Sequence, residues 1–200
     1  MNIHKVIVGE LQTNCYIVAS DKNNAFVIDP GDDIEDIKSV LKKHGLKASF
    51  IVNTHGHIDH IKANAGLKLP LYVHENENDM VTDPKKNPSS IFLGSFTVVK
   101  PEKLLKEGDK VVLDELSFEV IHTPGHTMGG MCLLGEGALF SGDTLFYNGV
   151  GRTDLPGASH AELLKSLKKL SQLREGTRVY PGHGPDTTIG REIKAGTLNG

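Results

Sequence analysis

The feature that most constrains how this chain folds is a repeated pairing of a short apolar run with a loop that carries glycine and a histidine or aspartate. The runs lie at residues 49–52, 118–121, 138–140 and 178–180, and their Val, Ile, Phe and Tyr content is typical of β-strands. Functional side chains commonly sit on loops that a rigid sheet holds in place. We therefore expect the four loops to meet at one edge of the sheets.

Further strand patterns precede and separate these runs, with helical patterns between them. Asp32 or Asp33 can cap a helix, and Ser159 with Glu162 resembles a capping box at the start of another. The pattern predicts an α/β fold, an αββα sandwich of two mixed β-sheets flanked by helices. No linker divides the chain, so we expect a single domain over residues 1–200. Additional strands are expected at residues 5–8, 15–19, 25–28, 71–74, 110–113 and 131–134.

The composition excludes several classes of partner. The formal net charge is −3, so the chain lacks the basic surface that binds nucleic acid or an anionic membrane. No apolar run approaches the roughly 20 residues that cross a bilayer, and residues 1–9 do not resemble an export signal. Two cysteines are too few for a disulfide framework. We expect a cytoplasmic protein with no nucleic-acid or membrane partner.

The densest set of metal-binding residue types lies in the segment THGHIDH at residues 54–60. His55 and His57 are two residues apart on an extended loop, point the same way and can bind one ion. Asp59 and His60 follow at the start of a helix expected over about residues 57–67, and can face a second ion. A histidine cluster without a metal is the alternative, but desolvating four polar groups together without a cation would be costly.

Three later loops repeat this placement and complete a candidate ligand set. His126, Asp143 and His183 each follow an apolar run and have a glycine beside them. Five imidazoles and two carboxylates exceed what one tetrahedral zinc uses, so we expect two divalent metal ions per chain. If Asp143 bridges the ions, two sets of three remain: His55, His57 and His126 for one ion, and Asp59, His60 and His183 for the other.

The expected chemistry follows from the open position that each set leaves on its ion. A water touching two divalent cations has its pKa lowered from about 15.7 toward roughly 7, so a metal-bound hydroxide is available at neutral pH. The ions also polarise a carbonyl and stabilise the oxyanion that forms on attack. Asp59 has a second, catalytic role, because its carboxylate can accept a hydrogen bond from the nucleophilic water. This chemistry favours acyl-group hydrolysis.

With these motifs, the chain resembles the metallo-β-lactamase superfamily and, within it, the glyoxalase II-like hydrolases, which cleave hydroxyacyl-glutathione thioesters. The resemblance rests on THGHIDH at residues 54–60, HTPGHT at 122–127, SGDTLF at 141–146 and PGHG at 181–184. It implies the metallo-β-lactamase fold, the same seven ligands, a bridging role for Asp143 and a small-molecule thioester substrate. Zinc is the metal first expected, and iron and manganese are the alternatives found in the family.

Two features differ from glyoxalase II proper. Those enzymes carry an additional C-terminal helical domain that helps to hold glutathione, whereas this chain ends soon after Gly184. The segment GRTD at residues 151–154 stands where they have a lysine-containing stretch near glutathione. Arg152 is the predicted substrate-binding residue, because its guanidinium can pair with a substrate carboxylate. An ion pair with Asp154 is the alternative for the same side chain.

Other functions are compatible with parts of the pattern. The GRTD segment also resembles persulfide dioxygenases, which would use a single iron with two histidines and one carboxylate and would not require His57. A metal-binding domain without activity is a third class, against which the complete ligand set argues. A secreted β-lactamase is disfavoured because that branch often has Cys at the position of Asp143. The sequence leaves open the acyl group, the thiol carrier, the native metal and the oligomeric state.

Overall fold

Two six-stranded β-sheets form the centre of the protein, in a computed structural model that describes residues 1–198. The strands of the first sheet are β1 (Asn2–Val8), β2 (Thr13–Ala19), β3 (Asn24–Ile28), β4 (Lys47–Val52), β5 (Leu71–His74) and β6 (Lys103–Leu105). They lie in chain order, with antiparallel pairs up to β3 and parallel pairs from β3 to β6. Parallel neighbours need crossover connections, and helices occupy several of the segments between these strands.

The second sheet is built from the later part of the chain. Its strands are β7 (Lys110–Leu113), β8 (Leu116–His122), β9 (Met131–Gly135), β10 (Ala138–Gly142), β13 (Arg178–Pro181) and β14 (Thr187–Thr188). Between β10 and β13, the chain forms a small separate hairpin of β11 (Leu145–Phe146) and β12 (Gly149–Val150). The sheet order is β14-β13-β10-β9-β8-β7, and β11 pairs with β12. β10 and β13 are parallel, while the other neighbours are antiparallel. Both sheets are therefore mixed, as predicted.

The main core lies between the two sheets because alternate residues of the central strands face it. Tyr16 and Val18 of β2 pack there with apolar residues of the second sheet such as Phe118. Their neighbours Cys15 and Ile17 point to the opposite face of the first sheet and pack in a separate cluster beneath a helix. Both faces of β2 are buried, which accounts for its continuous apolar run.

Helices cover the outer faces of both sheets. They are α1 (Ile34–Lys43), α2 (Ile58–Ile61), α3 (Asn64–Leu67), α4 (Asn78–Thr82), α5 (Ser90–Leu93), α6 (His160–Leu170) and α7 (Ile189–Ala195). Ile37 of α1 packs on the first sheet, and Leu163 and Leu167 of α6 pack on the second. The predicted αββα sandwich is confirmed. No helix within residues 1–198 combines the length and apolar character needed to cross a membrane.

The helix starts differ in detail from the prediction. Ser159 is the N-cap of α6, and its hydroxyl accepts a hydrogen bond from the Glu162 N–H at 3.3 Å, as the capping box predicts. Asp33 is the N-cap residue of α1, but its carboxylate accepts from the Gly9 N–H at 2.8 Å and makes no capping bond to the helix. The helix expected over residues 57–67 is divided into α2 and α3.

Candidate metal centre

The ends of four strands deliver the predicted ligands to one end of the sandwich. β4 leads into the loop that carries His55 and His57, and α2 carries Asp59 and His60 in its single turn. Of the other three predicted ligands, His126 follows β8, Asp143 follows β10 and His183 follows β13. Every loop predicted to contribute a ligand therefore reaches the same place.

His55, His57 and His126 form a buried cluster that we call the three-histidine group. Nδ1 of His57 lies 3.1 Å from Nε2 of His55 and 2.9 Å from Nε2 of His126. The three side chains are almost entirely shielded from solvent. One nitrogen from each lies within 4.8 Å of the others, a spacing that suits a single ion.

Asp59, His60 and His183 form a second cluster, which we call the mixed group. Nε2 of His183 lies 3.3 Å from Nε2 of His60 and 3.3 Å from Oδ2 of Asp59. Their ligand atoms also lie within 4.8 Å of one another. The two groups have the membership that counting donors in the sequence predicts for two ions.

Asp143 lies between the two groups. Its Oδ2 is 3.5 Å from Nε2 of His126 and 3.6 Å from Nε2 of His183, and its Oδ1 is 3.4 Å from Nε2 of His60. A carboxylate that faces both groups can serve both, which is the geometry a bridging ligand requires. The roles of the seven residues as metal ligands stay a prediction.

Hydrogen bonds on the far side of three rings determine which nitrogen faces the centre. In His126, His183 and His60, Nδ1 bonds an oxygen at 2.9, 3.0 and 3.0 Å, so each Nε2 is the nitrogen available to an ion. Outer hydrogen bonds of this kind orient metal-binding histidines in proteins. The acceptor is the carbonyl of Arg152 for His126, the carbonyl of Leu11 for His183 and Oδ2 of Asp29 for His60.

The donor atoms present fit metal cations. Nδ1 of His57 faces Nε2 of His55 and Nε2 of His126, and it can share a proton with only one of them at a time. The other pair of nitrogens then brings two lone pairs close together, and this pair needs a cation between them. Oδ1 of Asp143 is buried and has no hydrogen-bond partner within residues 1–198. Imidazole nitrogens and carboxylate oxygens together suit zinc, iron or manganese.

The two groups differ in their electrostatics. Burial, aided by the neighbouring His126 imidazole, lowers the pKa of His57 to about 3. Burial also lowers the pKa of His60, but the surrounding carboxylates, Asp143 first, outweigh it and raise that pKa to about 10. The neutral imidazole, the form that binds metals, is thus favoured at His57. The carboxylates of Asp59 and Asp143 at the mixed group carry negative charge, which attracts a cation.

Asp29 has a role at the centre that the sequence interpretation missed. Its Oδ1 accepts from the Thr54 N–H at 2.7 Å, and its Oδ2 accepts from the Thr54 hydroxyl at 2.6 Å and bonds Nδ1 of His60 at 3.0 Å. It also forms a close group with His55 and His60, but these bonds already occupy its oxygens. Asp29 therefore orients His60. It directly follows an apolar strand, the same signal that identified the other residues.

Glycines let the backbone approach the centre closely. A Cβ atom on Gly182 would lie 2.2 Å from Oδ1 of Asp143, and one on Gly142 would lie 2.3 Å from the Thr54 hydroxyl. Gly142 also has a φ of +47°, which favours glycine. The crowding expected from the glycines beside the predicted ligands is present.

A cleft of about 320 Å³ opens above the centre. Its lining outside the predicted ligands is mostly apolar and consists of Leu11, Ser89, Phe92, Leu93, Arg152 and Leu155. The Arg152 guanidinium is exposed and binds the Asp154 carboxylate through two hydrogen bonds of 2.7 Å. The ion pair that the sequence left open as an alternative is formed, and contact of Arg152 with substrate stays a prediction.

Comparison with known proteins identifies the family. The model of the metallo-beta-lactamase superfamily matches residues 8–183, and the chain belongs to this superfamily, as the sequence motifs indicated. It is a metal-dependent hydrolase. The probable metallo-hydrolase YqgX of Bacillus subtilis is 36% identical over 94% of this chain and 93% of its own length. The hydroxyacylglutathione hydrolase GloC of Haemophilus influenzae is 34% identical over 98% of this chain and 96% of its own length.

Solved structures share the fold over nearly the whole chain. The BLEG-1 B3 metallo-beta-lactamase has a TM-score of 0.94 and 38% identity, with both chains covered completely. TTHA1623 in a di-iron-bound form has a TM-score of 0.83 and 36% identity, and covers 96% of this chain and 98% of that one. ETHE1 from Myxococcus xanthus has a TM-score of 0.82 and 26% identity, with 98% and 83% covered. These structures confirm the metallo-β-lactamase fold.

Proposed function

We propose that the chain is a glyoxalase II-like thioesterase that cleaves a hydroxyacyl-glutathione or a related small-molecule thioester. The observation that carries this proposal is the pair of donor groups joined by Asp143 at the floor of an open cleft. The similarity to GloC over nearly the whole chain supports the substrate class. The proposed setting is the cytoplasm, without a nucleic-acid or membrane partner.

Two divalent ions would occupy the site. The three-histidine group would hold one, the mixed group the other, and Asp143 both; zinc is the first candidate, with iron or manganese as alternatives. When bound, the ions would supply Lewis acidity toward the substrate carbonyl and lower the pKa of water at the site. The protein contributes the fixed geometry of the donors and the shape of the cleft above them.

Asp59 would orient the attacking water. Its carboxylate lines the cleft, and its Oδ2 accepts a hydrogen bond from the Thr13 hydroxyl at 3.2 Å. Burial raises the pKa of Asp59, but the imidazoles of His60 and His183 outweigh it and hold that pKa below its ordinary value. The side chain is therefore an anion at neutral pH. An anion here can accept a hydrogen bond from water and direct its oxygen toward the carbonyl carbon.

The lining of the cleft favours a thiol as the leaving group. Apart from the predicted ligands, the side chains within residues 1–198 that line it include no carboxylic acid and no imidazole. An amine must gain a proton to leave an amide, whereas a thiol with a pKa of about 8.5 can leave as the thiolate. A site without a dedicated acid beside the leaving group therefore suits a thioester better than an amide.

The test is hydrolysis of lactoyl-glutathione by the purified, metal-loaded chain, with a β-lactam as the comparison substrate. We expect thioester hydrolysis that a chelator abolishes and added zinc, iron or manganese restores, and much slower β-lactam cleavage. Absence of thioester hydrolysis from a chain that holds its ions would contradict the proposal.

A persulfide dioxygenase is the second candidate, supported by the GRTD segment, which resembles that class of enzyme. Measuring oxygen uptake with glutathione persulfide, together with metal content per chain, separates the two functions. One iron per chain with oxygen uptake would favour the dioxygenase. Two ions per chain without oxygen uptake would favour the hydrolase.

A further inference from the structure

Glu77 is a buried carboxylate with no place in the predicted ligand set. It lies in a short 3-10 turn, Glu75–Glu77, directly after β5, and its side chain is 0% exposed. Its Oε2 accepts from the Gly56 N–H at 2.7 Å, and its Oε1 accepts from the Gly129 N–H at 2.6 Å. Burying a carboxylate is costly unless hydrogen bonds compensate, and these two charge-assisted bonds provide that compensation.

The two N–H groups that Glu77 binds belong to the loops of the three-histidine group. Gly56 lies between His55 and His57, and Gly129 follows His126 in the β8–β9 loop. A Cβ on Gly56 would lie 2.9 Å from Oε2 of Glu77, and one on Gly129 would lie 2.7 Å from its Cγ. One carboxylate therefore joins the loop of the first sheet to the loop of the second, and both loops are shaped to admit it.

Asn14 has the corresponding position beside the mixed group. Its side-chain amide donates to the carbonyls of Pro181 and Gly184, each at 2.9 Å, and its backbone N–H donates to the carbonyl of Gly182 at 2.7 Å. These three carbonyls flank His183, and Asn14 is 1% exposed. Because Asn14 lies on β2 and His183 follows β13, this contact also joins the two sheets.

We propose that Glu77 and Asn14 are positioning residues with separate targets: Glu77 holds the three-histidine group together, and Asn14 holds His183 in the mixed group. The proposal rests on the two-ion centre of the proposed function and adds that each ion has its own support outside the ligand set. Partners that orient metal ligands typically change metal affinity by about 10- to 100-fold when they are replaced. Replacing either residue should therefore weaken the binding of one ion much more than the binding of the other.

The experiment measures both ion affinities in Glu77→Gln and Asn14→Ala. Zinc-loaded chains are titrated with a competing chelator, and cobalt(II)-substituted chains supply a spectrum for each site. His126→Ala and His183→Ala serve as references, because each removes a donor from one group only. We expect Glu77→Gln to weaken, by about 10- to 100-fold, the binding of the same ion whose binding His126→Ala weakens. Asn14→Ala should weaken the His183-dependent ion to a similar extent, and in each variant the other ion should change much less.

Glu192→Gln is the matched control for Glu77. Glu192 is also 0% exposed and accepts hydrogen bonds from Thr187, Thr197 and Arg191, but it lies on α7 outside both groups. Glu192→Gln should lower the melting temperature without weakening the binding of one ion more than that of the other. If Glu77→Gln does not fold, Glu77→Asp tests the same contact, because the shorter side chain cannot span both N–H groups.

Equal weakening of both ions in Glu77→Gln, or ion affinities like those of Glu192→Gln, would overturn the assignment of Glu77. Equal weakening of both ions in Asn14→Ala would overturn the assignment of Asn14. These titrations do not depend on the substrate, so a chain that binds two ions but hydrolyses no thioester would reject the proposed function and leave this inference standing. A single ion per wild-type chain would reject both.

Discussion

Nδ1 of His57 lies 2.9 Å from Nε2 of His126, although the two residues are 69 positions apart in the chain. His57 follows a strand of the first sheet and His126 follows a strand of the second. The contact therefore depends on how the sheets pack, and not on either loop alone. It places His57 among the donors of the three-histidine group, where a single-iron dioxygenase would not require it.

Replacing His57 with alanine tests this distinction. We expect His57→Ala to lose most of the ion that the three-histidine group would hold and most of the thioesterase activity, because it removes one of the three imidazoles that would hold this ion together with Asp143. Metal content and the rate of thioester hydrolysis are the measurements. His122→Ala is the comparison, since that ring stacks on His74 outside both groups. Unchanged metal content and activity in His57→Ala would contradict the two-ion site.

Asp59→Asn should lower kcat by about 10²- to 10⁴-fold, because the amide is a much weaker proton acceptor than the carboxylate. The ion of the mixed group should also bind more weakly, so kcat is measured at saturating metal. Thr13→Val, which removes the hydrogen bond to Oδ2 of Asp59, should cost about tenfold or less. A full kcat in Asp59→Asn at saturating metal would rule out the role in orienting water.

Arg152 and Asp154 allow a paired test of substrate charge. If Arg152 binds a substrate carboxylate, Arg152→Gln should raise KM for lactoyl-glutathione by a few fold, and Asp154→Asn should lower it by freeing the guanidinium. The changes should shrink at high salt because the pair is exposed. An uncharged thioester of a simple alkyl thiol is the control, and its KM should not change. Equal effects on both substrates would assign Arg152 a structural role.

His74 should make the folded chain sensitive to acid. Burial, aided by the stacked His122 ring, lowers the pKa of His74 from 6.5 to about 4. Between these pH values the unfolded chain binds a proton that the folded chain does not, so the free energy of unfolding falls as the pH drops through this window. The slope from one such group reaches about 1.4 kcal/mol per pH unit.

His74→Gln removes this term, since glutamine does not titrate. Urea unfolding of the wild type and the variant at several pH values between 4 and 7.5 measures the difference between them. The variant should gain stability relative to the wild type as the pH falls. Parallel curves over the whole range would show that His74 does not contribute to acid sensitivity.

The sequence predicts the two donor groups because the loop that carries each predicted ligand follows a strand with a clear apolar pattern. In the structure, β4, β8, β10 and β13 end within a few residues of the positions expected from those patterns. Strand ends that share one edge of a sandwich bring their loops together, so placement followed from the fold class. Asp29 meets the same criterion after β3, although it is not among the predicted ligands.

Contacts between distant segments were not accessible in this way. The helix expected over residues 57–67 is interrupted because the Ala63 N–H donates to the Pro30 carbonyl at 3.0 Å, which no local pattern reveals. Glu77 lies in a polar stretch where a buried carboxylate has no distinguishing signal, and its partners are backbone N–H groups. Short elements such as β6 and β14 also lack enough residues to show periodicity.

Elemental analysis of the wild type and Asp143→Ala, paired with assays on lactoyl-glutathione, tests the central claim most directly. Asp143 faces both groups, so its loss should remove a donor from each ion at once and reduce metal content and hydrolysis more than any other single ligand substitution. We expect two divalent ions per wild-type chain, and little of either ion or of the activity in Asp143→Ala. An Asp143→Ala chain that keeps two ions and full thioesterase activity would contradict the account.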